Sequence, residues 1–175
     1  MTAAVRAAAW IALFASTLAG CDAVRLRWAT AGVARAYDDA LITAYRTGDL
    51  APLAAVAGPG EVRRVAALVD LKRASGLVLE CSLEDFSLLD STRTATGVTV
   101  RTRERWTYHD RPTRPGGVGG PVFTSEMTME YQLVHEDGHW RVLEGRTLSS
   151  RYLQPPGAGP RSATAGHGIG ERGGR

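Results

Sequence analysis

The sequence is short of several features, and each shortage excludes a class of protein. Its 175 residues include two cysteines, too few for the disulfide framework of a small secreted domain. No run of 18 or more apolar residues is present, so a polytopic membrane protein is not expected. Nucleophile elbows, paired cysteines and a phosphate-binding loop at the start of a helix are also absent from the sequence. With 44% apolar residues, the chain still has enough material for a folded core.

The first 21 residues have the three parts of a secretory signal. Arg6 precedes an apolar run at 7–18, and small residues lead to Cys21. The ending Leu18-Ala19-Gly20-Cys21 resembles the bacterial lipobox, in which a signal peptidase cuts before a cysteine that carries the lipid. The alternative is a plain cleaved signal with an incidental cysteine.

The lipobox resemblance predicts how the start of the chain is divided. It implies a signal peptide at 1–20, lipidation of Cys21 and a short tether at 21–28. Asp22 resembles the sorting residue that keeps lipoproteins in the inner membrane of some bacteria. We therefore expect a lipid-anchored protein that faces the periplasm, with an inner-membrane location favoured.

The positive charge of the chain lies at its two ends. The formal net charge is +3 at pH 7, yet segment 29–153 contains 15 basic and 16 acidic side chains. Arg25 and Arg27 lie beside the predicted anchor, where they can meet anionic head groups. Segment 154–175 has seven glycines and three prolines and is predicted to be a disordered tail. A nucleic-acid partner is not expected from this distribution.

Segment 29–153 is predicted to be one domain that begins with three helices. Apolar residues recur at three- and four-residue spacing in 30–47, which indicates a helix. Asp49 can cap a short second helix, and 61–75 has the pattern of a third.

From Leu77 onward the apolar residues alternate, which predicts four strands. The phase slips by one near Asp85, as expected for a β-bulge, and Asp137-Gly138 predicts a tight hairpin turn. Cys81 falls on the apolar face of the first strand, where a lone thiol is read as a small core residue, the alternative being a reactive thiol. Helices followed by an antiparallel meander predict an α+β fold. Three strands are predicted at 77–90, 97–111 and 139–148, and the inward residues of the remaining, third strand extend from Phe123 to Leu133.

This order of elements resembles the nuclear-transport-factor-2-like cone, in which three helices pack on a curved four-stranded antiparallel sheet. The hairpin Val134-His135-Glu136-Asp137-Gly138-His139-Trp140-Arg141-Val142 resembles the strand-Asp-Gly-x-Trp-Arg-Val ending of that superfamily. The three-helix start and the bulged strand Leu79–Asp90 are most similar to the intermembrane-space domain of plastid and cyanobacterial division proteins. The resemblance implies a binding module that holds a partner's peptide or a small ligand between the sheet and the first helix.

Glu104 is the strongest candidate for a pocket residue. It shares the inward face of the second strand with Trp106 and Tyr108, where an unpaired carboxylate is costly to bury. It is therefore a candidate general base in an apolar cavity, as in the isomerases and cyclases that also use this cone. The alternatives are an ion pair with an arginine at the cavity mouth, or a strand twist that exposes it. The full set of candidate pocket residues is Glu104, Thr102, Trp106, Tyr108, Tyr37, Met127 and Met129, a stripe that is also typical of ordinary core.

Two further patterns have structural explanations. His135-Glu136-Asp137-Gly138-His139 matches the zinc-peptidase spacing, but it lies on a predicted hairpin, so no metal site is assigned. The row Arg101, Arg103 and Arg105 has glutamates on the neighbouring strands, so cross-strand ion pairs are expected. Contact with acidic partners or lipid head groups is the alternative for this row.

Together these patterns predict a membrane-anchored lipoprotein that acts as a non-catalytic binding module for an envelope protein or a small ligand. The alternative is an isomerase- or cyclase-type enzyme that uses Glu104. No cofactor is expected, and the sequence does not fix the oligomeric state.

Overall fold

The computed structural model describes residues 3–154, with side chains from 24 to 153. The side chains of Cys21 and Asp22 and residues 155–175 of the tail predicted at 154–175 lie outside the described residues. Three helices pack on an open antiparallel sheet of four strands in the order β1-β2-β3-β4, which confirms the predicted α+β class. The elements are α1 (Ala3–Thr47), α2 (Ala51–Val56), α3 (Pro59–Ala74), β1 (Leu77–Arg93), β2 (Val98–Pro112), β3 (Phe123–Glu136) and β4 (His139–Gln154).

Helix α1 is longer than the periodicity predicts. The pattern indicated a helix over 30–47, but the structure has one continuous helix from Ala3 to Thr47. Segment 22–29 contains neither proline nor glycine, and its alanine, leucine and arginine residues favour a helix. Nothing in that segment therefore ends the helix, although its residues 24, 25 and 27–29 are exposed.

The two shorter helices begin and end close to their predicted positions. The Asp49 side chain accepts a hydrogen bond from the Ala51 backbone N–H at 3.0 Å and so satisfies a free donor at the start of α2, although the N-cap position is Leu50, one residue after the predicted cap. Glycines with positive φ follow α1 at Gly48 (74°) and α3 at Gly76 (71°). Such conformations are open to glycine at little cost, which explains why these helices end there.

The strands form a meander with irregularities that the sequence signalled in part. The register between β1 and β2 shifts between Leu83 and Asp85, which confirms the predicted bulge, and again between Leu88 and Asp90. At the β3–β4 turn, Asp137 has φ 51° and Gly138 has φ 79°, as a two-residue hairpin with both central residues left-handed requires.

Strand β4 extends six residues beyond its predicted end. It continues to Gln154 because segment 149–154 keeps pairing with the first residues of β3, for example Tyr152 with Ser125. Residues 149–153 are exposed and show no apolar alternation, so periodicity alone did not identify this part of the strand.

The core lies between the helices and one face of the sheet. Ala34 of α1, Leu53 of α2 and Val65 of α3 meet Val100 of β2 and Val142 of β4, and all five are buried. The link between α2 and α3 is tied to β4, because the Gly58 backbone N–H donates to the Val142 carbonyl at 2.8 Å. This frame fixes α1, which packs mainly on β1, opposite the inner face of β2 and β3, and the candidate site lies between them.

Candidate functional site

A cavity of about 240 Å³ lies between α1 and the inner face of the sheet. Its wall is almost entirely apolar apart from two carboxyl groups and the tyrosine between them. The lining residues are Asp38, Leu41, Tyr45, Leu79, Cys81, Glu104, Trp106, Tyr108, Met127, Met129 and Tyr131. Several of them, including Tyr45, Trp106 and Met129, are half-buried, so the cavity is accessible from solvent.

The structure brings five of the seven predicted pocket residues together on this cavity. Residues at alternate positions of β2 and β3 face the same side of the sheet, and Glu104 stands directly opposite Met127 in the register. These five are Glu104, Trp106, Tyr108, Met127 and Met129. Thr102 and Tyr37 do not line the cavity. Thr102 is fully buried behind Glu104, and Tyr37 points to a different polar cluster.

Glu104 is buried and held by three donors. It is 1% exposed, and its Oε1 accepts hydrogen bonds from the Thr102 hydroxyl at 2.5 Å and the Tyr131 hydroxyl at 2.7 Å. Its Oε2 accepts from the Trp106 indole N–H at 2.8 Å. Both alternatives considered for Glu104 are wrong: no described arginine or lysine pairs with it, and no twist brings it to water. Neutral donors around the carboxylate replace the ion pair.

Asp38 of α1 faces the same tyrosine from the other side. Its Oδ1 lies 2.9 Å from the Tyr131 hydroxyl, while its Oδ2 is buried without a hydrogen-bond partner among the described residues. Burial raises the pKa of Asp38 well above its ordinary value, and the nearby Glu104 carboxylate raises it further. Burial likewise raises the pKa of Tyr131, so its hydroxyl keeps its proton.

The two contacts of the Tyr131 hydroxyl require one more proton than tyrosine supplies. A hydroxyl has one hydrogen, so it can donate to only one of two carboxyl oxygens. Glu104 receives two other donors that stabilise its charge, whereas Asp38 has none from a side chain. We therefore assign the extra proton to Asp38, which donates from Oδ1 to Tyr131, while Tyr131 donates to Glu104.

Sequence reasoning did not identify Asp38, and it treated Tyr131 only as an inward-facing residue. The signal for Asp38 was present, because it lies four residues after Ala34 and three before Leu41 on the apolar stripe of α1. An acidic residue within such a stripe indicates a buried carboxyl group. That it meets Glu104 through Tyr131 follows only from how α1 crosses the sheet.

Cys81 lines the cavity from β1 and is an unreactive thiol by its surroundings. It is 8% exposed, and burial raises its pKa to about 11. The thiol is therefore protonated at neutral pH, as expected for a small core residue and not for a nucleophile.

A second buried polar cluster lies next to the cavity but does not open into it. The Tyr37 hydroxyl donates to Glu61, and Arg64 donates to the same carboxylate, partly from its Nε at 3.0 Å. The rings of Tyr37 and Tyr131 pack edge to face, with centroids 5.7 Å apart. This packing fixes the Tyr131 ring and so the position of its hydroxyl.

Ion pairs cover the outer face of the sheet. Arg101 donates to Glu130 at 2.8 Å, and Arg146 pairs with the same carboxylate from β4. On β1, Glu80 accepts from Arg111 at 3.0 Å and from Arg46 at 2.7 Å. The cross-strand pairs predicted for the arginine row thus exist at Arg101, and the Arg101 hydrogen bond lowers the pKa of Glu130.

The two histidines of the zinc-peptidase pattern are on the hairpin, as predicted. His135 is the last residue but one of β3 and His139 begins β4, and the His135 ring packs against Trp140 with centroids 5.0 Å apart. Within residues 24–153, no group of three metal-ligating side chains was found.

Comparison with known proteins informs the fold only. No family model matches the chain, and no curated protein matches it. Its fold is similar to the crystal structure of the intermembrane space region of chloroplast protein ARC6, with a TM-score of 0.60 and 15% identity. The match covers 67% of this chain and 92% of that one, in agreement with the resemblance to division-protein domains. In the part of the chain that the structure describes, no helix has the length and apolar character needed to cross a membrane.

Proposed function

We propose that the chain is a bacterial lipoprotein, anchored through Cys21, whose folded domain is a binding module for a small ligand in the cell envelope. The observation that supports binding is the cavity between α1 and the sheet. It is solvent-accessible and apolar, and Asp38, which lines it, has a buried Oδ2 without a hydrogen-bond partner among the described residues. Apolar pockets with a few placed polar groups are the usual form of small-molecule sites.

The anchor is supported by the sequence alone. The segment Leu18-Ala19-Gly20-Cys21 resembles a lipobox, and the adjacent Asp22 favours retention in the inner membrane. In this proposal the domain faces the periplasm, close to the lipid surface.

A non-catalytic role is favoured by the hydrogen bonds of Glu104. A general base needs an oxygen that can reach the substrate proton, but both oxygens of Glu104 already accept from protein donors. The carboxylate is arranged as a fixed charge in the wall and not as a free base.

Binding is tested by filling the cavity in the purified full-length chain. Leu79 lines the cavity, whereas Leu83, four residues further along β1, does not, so Leu79→Trp and Leu83→Trp form a matched pair. The probe is propylbenzene, added to protein in a non-ionic detergent, and the readout is the unfolding temperature by circular dichroism. A ligand that binds the folded state raises this temperature.

We expect propylbenzene to raise the unfolding temperature of the wild type and of Leu83→Trp, but not that of Leu79→Trp. Propylbenzene that dissolves in the micelles affects all three proteins equally. A difference between Leu79→Trp and the other two therefore reports binding in the cavity. Equal shifts in all three proteins, or none in the wild type, would contradict ligand binding at this site.

The second candidate is the isomerase- or cyclase-type enzyme, and Asp38 is the observation that favours it. A carboxyl group with a raised pKa beside a carboxylate, in an apolar cavity, is a common arrangement for proton transfer. Its test is hydrogen exchange at the carbon next to the carbonyl of phenylacetone in D₂O, followed by NMR. An enzyme would exchange these hydrogens faster than buffer and lose this ability in Asp38→Asn; exchange at the buffer rate would eliminate this candidate.

A further inference from the structure

We propose that the ligand of this cavity is a small apolar amine, bound as its ammonium ion with an N–H donated to Asp38 Oδ2. This inference rests on the proposed binding function and specifies its ligand class. It follows from three properties of the cavity: its unpartnered hydrogen-bond acceptor, its charge and its size.

The polarity follows from the proton arrangement around Tyr131. Asp38 uses its proton in the contact between Oδ1 and the Tyr131 hydroxyl, so Oδ2 is left as a carbonyl-type acceptor. A buried acceptor without a partner is costly, and a ligand that donates a hydrogen bond removes this cost. The cavity therefore favours a ligand group that donates a hydrogen bond to Asp38 Oδ2, and it disfavours an acceptor group such as a carboxylate.

The charge of the cavity distinguishes an ammonium ion from a neutral donor. Glu104 carries a negative charge at the wall, and its described hydrogen bonds come from Thr102, Trp106 and Tyr131, none of which is a cation. An uncompensated charge in a low-dielectric site attracts a counter-ion strongly. The aromatic rings of Tyr45, Trp106 and Tyr108 add faces on which a cation is favoured over a hydroxyl group.

The volume limits the ligand to a ring with a short chain. A cavity of roughly 150 Å³ holds benzene. At about 240 Å³, this cavity has room for a benzene-sized ring and a two- or three-atom side chain. A complete lipid does not fit within it.

Four probes of nearly equal shape separate the effect of charge from those of hydrogen bonding and of apolar contact. They are 2-phenylethylamine, 2-phenylethanol, phenylacetate and propylbenzene. Each is titrated into the full-length chain in a non-ionic detergent at pH 7, with the thermal shift as readout and Leu79→Trp as the blank. We expect 2-phenylethylamine to bind at least tenfold more tightly than 2-phenylethanol, and phenylacetate not to bind.

Two substitutions locate the preference in the named side chains. Asp38→Asn replaces the protonated acid with an amide that donates to Tyr131 and keeps an acceptor oxygen towards the cavity, so the amine preference should persist. Glu104→Gln removes the charge, and the affinities for the amine and the alcohol should then agree within about threefold. The wild-type ranking decides the proposal even if one of these buried variants does not fold.

The outcomes distinguish this inference from the function on which it rests. If 2-phenylethanol, propylbenzene or phenylacetate binds as well as the amine, the cavity binds ligands but the amine assignment is wrong. If none of the four shifts the wild type relative to Leu79→Trp, both the ligand class and the binding function are overturned.

Discussion

Tyr131 holds one hydroxyl between two buried carboxyl groups, and its ring is fixed by Tyr37. This geometry requires a proton on one of the two carboxyl groups, because the single hydrogen of the Tyr131 hydroxyl can be donated to only one of them. The period-two alternation placed Glu104 on the inner face, and the structure agrees. Its donors lie on β2 and β3, two of them only two residues away in the sequence. Its link through Tyr131 to Asp38 could not be predicted, since Asp38 lies on α1, more than 60 residues from Glu104.

Replacing Tyr131 with phenylalanine is expected to destabilise the fold. The change removes one donor from Glu104 and leaves the Asp38 proton without an acceptor, at a cost of about 1–3 kcal/mol in the free energy of unfolding. Tyr45→Phe is the matched control, because Tyr45 lines the same cavity and its hydroxyl makes no hydrogen bond to a described residue. Urea denaturation measures both variants, and equal losses would contradict the bridging role of Tyr131.

Asp38→Asn is expected to change how stability depends on pH. The folded state raises the pKa of Asp38 above its ordinary 3.8, so folding is favoured by this proton at low pH and the contribution is lost as pH rises towards the folded pKa. The free energy of unfolding of the wild type minus that of Asp38→Asn should fall by about 1.4 kcal/mol per pH unit above pH ~4.

Urea denaturation of both chains in steps from pH 4 measures this difference. Glu80 and Glu130, whose pKa values are lowered by arginines, titrate equally in both chains and cancel. A difference that stays flat, or rises with pH, would show that Asp38 is ionised in the folded state.

At the scale of elements, apolar alternation was informative only where one face is buried. It identified β1 to β3 and the bulge before Asp85, but not the exposed end of β4, where pairing with β3 continues without a buried face. Helix α1 was underestimated for a related reason. Segment 24–29 has a helical composition, but apart from the half-buried Leu26 its residues are exposed, so it has no apolar stripe for periodicity to detect.

Gly97 is the element-scale position with the least tolerance for a side chain. It precedes β2, and a Cβ there would lie 1.9 Å from the Leu133 carbonyl oxygen of β3. Gly97→Ala must therefore separate the start of β2 from β3, and we expect a loss of about 1–3 kcal/mol in the free energy of unfolding.

Gly32→Ala provides the comparison, since a Cβ at Gly32 meets nothing within 4 Å and the residue lies inside α1. That change should stabilise the protein by about 0.5–1 kcal/mol, because alanine favours the helix. Urea denaturation of the two variants checks the pair. An unchanged free energy of unfolding in Gly97→Ala would contradict the close approach of Gly97 to the Leu133 carbonyl.

For the whole molecule, the central prediction is the anchor at Cys21. Cys21→Ala removes the only thiol in the lipobox-like segment, so the protein should remain unprocessed or be released from the membrane. Metabolic labelling with an alkyne palmitate analogue and membrane fractionation measure the outcome, with Cys81→Ala as the matched control. Unchanged labelling of Cys21→Ala would refute the assignment. Labelling that is lost only in Cys81→Ala would show that Cys81, and not Cys21, carries the lipid.

The continuity of α1 has a consequence for how such an anchored domain would move. If the lipid is on Cys21, the nine residues to Thr30 form helix and not coil, and at 1.5 Å per residue they set a distance of about 14 Å. A coil of that length would let the domain take any orientation relative to Cys21, whereas a helix that continues into the core is a rigid connection. The domain could then rotate about this helix and tilt with it, but the distance between its cavity and the lipid-bearing cysteine would stay nearly constant.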